Sequence, residues 1–196
     1  MVSDEQSDVQ LLEKARVLRQ QGDYREAIEV YREVLSVDRD CLEALNEVGL
    51  IHVIIGEQTL AEVAFDLAIS ISPYDFRAYS NKAEAFLTLG RFEEALETAE
   101  EGLKLSLECA ELWEKKARAL ESMTRIDEAI DAYNEAIKYD SENPETWKAL
   151  ALCLDAQEKW TEVARAYRIA AELHEKRGES KEAESCKKFA GFAESS

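Results

Sequence analysis

Gly22-Asp23-Tyr24-Arg25-Glu26-Ala27 returns as Gly56-Glu57-Gln58-Thr59-Leu60-Ala61 and again as Gly90-Arg91-Phe92-Glu93-Glu94-Ala95, 34 residues on each time. A fourth copy, Thr124 to Ala129, has lost its glycine. A fixed period of this length restricts the chain to an architecture made by stacking one supersecondary unit. In this frame the sequence falls into five copies, 8–41, 42–75, 76–109, 110–143 and 144–177. Repeat position 8 holds Ala15, Gly49, Ala83, Ala117 and Ala151, and position 20 holds Ala27, Ala61, Ala95, Ala129 and Val163. Position 4 holds Leu11, Leu45, Tyr79, Trp113 and Trp147, and position 24 holds Tyr31, Phe65, Ala99, Tyr133 and Tyr167.

These columns predict two helices per copy, A and B, joined by a tight turn at position 15, where glycine is free to turn left-handed. Small residues at 8 and 20 let A and B cross closely, and large ones at 4 and 24 fill the space beside the crossing. One hairpin cannot bury such a face, so copies must stack. Seven Gly and two Pro in 196 residues agree with long uninterrupted helices. About eleven helices are expected, with turns near Gly22, Gly56, Gly90, Thr124 and Glu158.

The pattern resembles the tetratricopeptide repeat (TPR), whose 34 residues carry an aromatic, Leu-Gly, Tyr, Ala, Phe, Ala and Pro in order. The second copy comes closest, with Leu45, Val48-Gly49, His52, Ala61, Phe65, Ala68 and Pro73. The resemblance implies an all-α, right-handed superhelical solenoid of helix-turn-helix repeats that acts as a protein-interaction scaffold. Residues 1–7 form a polar N-terminal lead, with a capping-box start at Ser7 and Gln10. Beyond Gly178, the residues Ala183, Cys186, Phe189, Ala190 and Ala193 share one helical face. Residues 178–196 are therefore expected to form a C-terminal capping helix and tail. Tyr167, Ala170, Ala171, Gly178, Ala183 and Ala190 also fit an overlapping sixth copy.

Charge excludes one class of partner. The chain has 42 acids against 24 bases, a net charge of −18, so nucleic-acid backbones are not expected ligands. Its longest apolar run, Leu50 to Ile55, is six residues with His52 inside, so no membrane span is expected. The four cysteines are never closer than 33 residues, which speaks against zinc pairs and for reduced thiols in a cytoplasmic protein. His52 takes a position that is otherwise Leu or Phe, which predicts a core histidine. His174 falls near a helix end, where a cation suits the dipole. With no phosphate loop and no nucleophile elbow, no enzyme activity, cofactor or metal is expected.

In the TPR family the A helices line a concave groove. Some members bind acidic chaperone tails there through a carboxylate clamp of Lys and Asn residues, but no three consecutive copies here supply a complete set. The second copy has six acids and no Lys or Arg, and its A helix is the most apolar. The candidate groove site is Asn46, Leu50, Val53 and Ile54 from the second copy with Arg77, Asn81 and Leu87 from the third. The amides would hold a peptide backbone, the apolar side chains a hydrophobic residue, and Arg77 a carboxylate. The expected partner is a peptide or helix of another protein, with basic flanks. The alternative is a self-associating module, a homodimer through its groove or end. The competing expectation for the groove is a solvated surface, with Arg16 paired to Glu47.

Overall fold

The computed structural model describes the backbone of residues 2–195 and the side chains of residues 9–195. Among the described residues there are eleven α-helices and no strand. They are α1 Val2–Gln21, α2 Tyr24–Val37, α3 Leu42–Ile54, α4 Gln58–Ile71, α5 Phe76–Thr88, α6 Phe92–Leu105, α7 Ala110–Ser122, α8 Ile126–Tyr139, α9 Pro144–Asp155, α10 Trp160–Lys176 and α11 Ser180–Glu194. α1 starts at Val2, upstream of the start expected at Ser7, so residues 2–7 of the N-terminal lead are helical.

The turns fall where the period placed them. Gly22, Gly56 and Gly90 have φ of 87°, 80° and 72°, and Thr124 and Glu158 take the same left-handed conformation at 59° and 57°. The amide after the turn donates back to the carbonyl five residues earlier: Asp23 to Leu18, Glu57 to His52, Arg125 to Leu120 and Lys159 to Leu154. This is the Schellman closure, which satisfies carbonyls that a helix end leaves open. A side chain in this conformation is strained by about 1 kcal/mol, partly offset by the extra freedom glycine has when unfolded. Thr124→Gly and Glu158→Gly should therefore each stabilise by about 0.5 kcal/mol in urea denaturation. A loss of stability in both would show that the side chains hold the turn.

The chain divides into two compact units, Met1–Leu89 and Gly90–Ser196. In the first, Ala15, Ala27, Tyr31, Ala44 and Ile51 pack with Ala64 in one cluster, and Phe65 joins Ala61 and Ala85 in another. In the second, one core runs from Ala117 through Tyr133, Ala151 and Ala170 to Ala193. The small columns are fully buried in both, as close helix crossing requires.

Position 4 does more than fill space. Tyr79 Oη donates to Pro73 O at 3.3 Å, Trp113 Nε1 to Leu107 O at 2.8 Å and Trp147 Nε1 to Ser141 O at 3.0 Å. Each ring ties its A helix to the loop six residues upstream and satisfies a loop carbonyl.

α10 breaks the pattern. Helices α2, α4, α6 and α8 stop at Asp38, Ser72, Ser106 and Asp140, residue types whose short polar side chains compete for the backbone. His174 stands at that position in the fifth copy, and the helix runs on to Lys176. It then turns at Gly178, φ 76°, with Glu179 N–H donating to His174 O at 2.9 Å. α10 thus pairs with α9 on one side and with α11 on the other, as a B helix and an A helix at once.

Burial pushes the Cys153 thiol from 9.0 to about 12 and the Tyr31 phenol from 10.0 to about 12. Both groups are neutral when protonated, so the folded chain holds these protons longer than the unfolded one. Their stabilising contribution is intact below about pH 9 and is lost as pH rises towards 12. The urea midpoint should fall steadily between those limits; a flat midpoint to pH 11 would contradict the buried ionisations.

Candidate functional site

In the N-terminal compact unit, α3 and α5 border a cleft of ≈ 380 Å³ lined by Leu42, Glu43, Asn46, Glu47, Arg77 and Asn81. α3 spans one helical turn between Leu42 and Asn46, and Asn46 Nδ2 donates to Leu42 O at 2.8 Å. Asn81 Nδ2 donates to Asn46 Oδ1 at 3.1 Å, so the two amides are joined across the helices. Asp75 caps α5 by accepting from the Arg77 amide at 3.0 Å. It also accepts from the Arg77 guanidinium, Nε at 2.9 Å and Nη2 at 2.8 Å. The guanidinium holds the Asp75 carboxyl below its ordinary value.

Of the seven expected site residues, Asn46, Arg77 and Asn81 share this cleft, and four do not line it. Leu50 and Val53 pack against Ala61, Phe65 and Ala85, so neighbouring side chains take up most of their surface. Leu87 is buried within the fold. Ile54 alone of the apolar set is well exposed, at 52%. Arg77 is exposed and pairs with Asp75, the cap of its own helix, at 2.8 Å. Ion pairing also differs from expectation. Arg16 pairs with Glu43 at 2.6 Å, and Glu47 pairs with Arg19 at 3.0 Å. One turn separates Arg16 from Arg19 along α1, and the choice of carboxylate follows from how α1 lies against α3. Burial holds the Glu47 carboxyl above its ordinary value, with Arg19 opposing.

Both histidines are core residues that brace turns. His52 Nδ1 lies 2.7 Å from Glu57 Oε2 and His174 Nδ1 lies 2.6 Å from Glu179 Oε2, each across a left-handed glycine. His174 lies in the last turn of α10, as expected, and is 1% exposed with Glu179 as its partner. Among the described residues no three His, Cys, Asp or Glu side chains gather as metal ligands. The four cysteines are free thiols, three of them buried. No helix of the described residues is long and apolar enough to cross a membrane.

The C-terminal compact unit has a cleft of similar size, ≈ 380 Å³, that the sequence did not single out. Leu152, Tyr167, Cys186 and Phe189 make its apolar wall, with Lys148 and Lys181 at its edge. Tyr167 and Phe189 stack with centroids 5.3 Å apart. Leu152 is 55% exposed, between the buried Leu150 and Leu154. A second cleft of that unit is polar, formed by Glu114, Arg118, Glu121, Glu145 and Tyr133, whose hydroxyl donates to Glu121 at 2.6 Å.

The chain matches the family model described as Tetratricopeptide repeat over residues 12–76, 80–144 and 114–176. No curated protein matches it in sequence. Its fold is similar to that of a thermophilic TPR protein in Thermus thermophilus, at 19% identity and TM-score 0.73, covering 91% of this chain and 98% of that one. It is also similar to pilF of Pseudomonas aeruginosa, at 16% identity and TM-score 0.71, covering 93% and 89%. A third similar structure is MamA, from residue 41 to the end, of Desulfovibrio magneticus RS-1, at 18% identity and TM-score 0.68, covering 86% and 96%. At these identities the likeness is one of fold alone.

Proposed function

The chain belongs to the tetratricopeptide repeat family, and on that premise we propose that it is a non-catalytic, cytoplasmic adaptor that binds a segment of another protein in its groove. Five repeats over 8–177 and a closing helix after Gly178 are part of this reading. The observation that carries it is the Asn46–Asn81 pair in the α3/α5 cleft. Each amide has more donor and acceptor capacity than the pair uses, and an amide can bond a peptide backbone whatever that peptide's side chains. Glu43 and Glu47 are matched by Arg16 and Arg19, so local acids do not select the ligand. A preference for basic flanks then comes from the net charge of −18, which speeds approach of cationic segments at low salt.

The test begins with a partner captured from native lysate and reduced to its minimal binding peptide. Asn46→Ala combined with Asn81→Ala should weaken that peptide by about tenfold, as the loss of two backbone hydrogen bonds requires. Leu50 is left intact because it packs on the Phe65 cluster. Unchanged binding by a folded double variant would remove the α3/α5 cleft from the interface. Peptides with acidic C-terminal tails should bind no better than background. Self-association is the second reading, and it must bring together two chains that each carry −18. Light scattering over a dilution series should report a monomer throughout.

A further inference from the structure

The outer face of a B helix is charged in most copies of this protein. At repeat positions 19, 22 and 26 the first copy has Glu26, Glu29 and Glu33, the third Glu94, Glu97 and Glu101, and the fourth Glu128, Asp131 and Glu135. The fifth has Glu162, Arg165 and Ile169. The second copy has Leu60, Val63 and Leu67. All three sit on α4 at spacings of three and four, so they share one face. They are exposed by 47%, 58% and 45%, while the opposite face of α4 buries Ala61, Ala64, Phe65 and Ala68. The core of the repeat therefore does not need this stripe. Ten of the twelve residues at these positions in the other copies are acidic, so the repeat folds with Glu there. A run of exposed apolar side chains where the architecture accepts charge marks a contact surface.

Charge decides what covers it. α4 carries Glu62 and Asp66 and no Lys or Arg, in a chain whose net charge is −18. One lysine from the next helix, Lys82, reaches Asp66 at 2.7 Å. A second copy of the chain would set −18 against −18. An amphipathic helix with Lys or Arg beside its apolar face meets opposite charge instead. We propose that the α4 stripe of Leu60, Val63 and Leu67 docks an amphipathic helix of a partner protein, with basic residues flanking its apolar face. This surface is separate from the α3/α5 cleft, so one chain can hold two partners.

The probe is a fluorescent helical peptide of about 18 residues with leucines on one face and lysines beside them, with a comparison peptide carrying Glu for each Lys. Fluorescence anisotropy is measured against the native chain and against Leu60→Glu/Val63→Glu/Leu67→Glu. That variant installs the residues found at Glu26, Glu29 and Glu33. It adds three negative charges, so weaker binding of the lysine peptide runs against bulk electrostatics. Saturable binding of the lysine peptide is expected, at least about tenfold weaker for the triple variant, with the Glu peptide also at least about tenfold weaker on the native chain. Equal binding to native and triple variant, or equal binding of the two peptides, overturns the proposal. A native dimer in sedimentation that the triple variant dissolves also overturns it, in favour of a second copy. Should circular dichroism show the triple variant unfolded, Val63→Glu alone takes its place, and its binding the lysine peptide as the native chain does would equally overturn the proposal.

Discussion

Deleting residues 179–196 is expected to lower the melting temperature of the chain by roughly 10–20 °C and to make it aggregate. α11 buries Ala183, Cys186, Ala190 and Ala193 on its inner face, and Phe189 stacks on Tyr167. Cys186, Ala190 and Ala193 belong to one core with Tyr167, Ala170 and Ala171 of α10 and Ala151 of α9. Without α11 that surface meets water, at a cost of about 4–5 kcal/mol from the apolar area alone. His174 also loses Glu179, its partner across the Gly178 turn. Calorimetry and light scattering on the truncated chain check this. A monomer that melts within about 2 °C of the full chain would mean that α11 decorates the array without closing it.

Gly49→Leu should cost about 3 kcal/mol or more, and Gly49→Ala about 1 kcal/mol, although glycine inside a helix is unfavourable by itself. A Cβ built on Gly49 would lie 2.7 Å from the Phe65 ring, which is fully buried and has nowhere to retreat. The other copies carry Ala at this position beside a different residue at position 24. Gly49→Ala with Phe65→Leu should recover part of the loss, so the two changes are coupled and do not add. Urea denaturation of the four variants measures that coupling. If Gly49→Ala stabilises by the roughly 0.5–1 kcal/mol of helix propensity, the close approach to Phe65 is not what keeps glycine here.

Repetition made the helices legible in the sequence. A left-handed residue at every thirty-fourth position and two columns of small residues are local, periodic constraints, and five copies average out the exceptions. Hence even Thr124 and Glu158, which do not look like turn residues, fall at turns that the structure confirms. Contacts between copies were not legible in the same way. Leu50, Val53, Ile54, Leu87 and Leu152 have the spacing of a helix face, but spacing cannot say whether another helix covers that face. The fold buries Leu87, packs Leu50 and Val53 on the Phe65 cluster and leaves Ile54 and Leu152 open.

The α4 stripe stands between these cases. Comparison of positions 19, 22 and 26 across the copies isolates Leu60, Val63 and Leu67 from sequence alone, and only packing shows that the described residues leave them exposed. Which residues turn the chain, which let helices cross and how many helices form are legible from the residues alone, because backbone conformation and residue size act over a few positions. Only the packing of helices decides that Arg16 meets Glu43 and Arg19 meets Glu47, and that α10 is shared by two hairpins. Those outcomes depend on the angle and offset at which one helix lies on the next. A shift of one helical turn, about 5.4 Å, exchanges one carboxylate for another while leaving the periodic pattern unchanged.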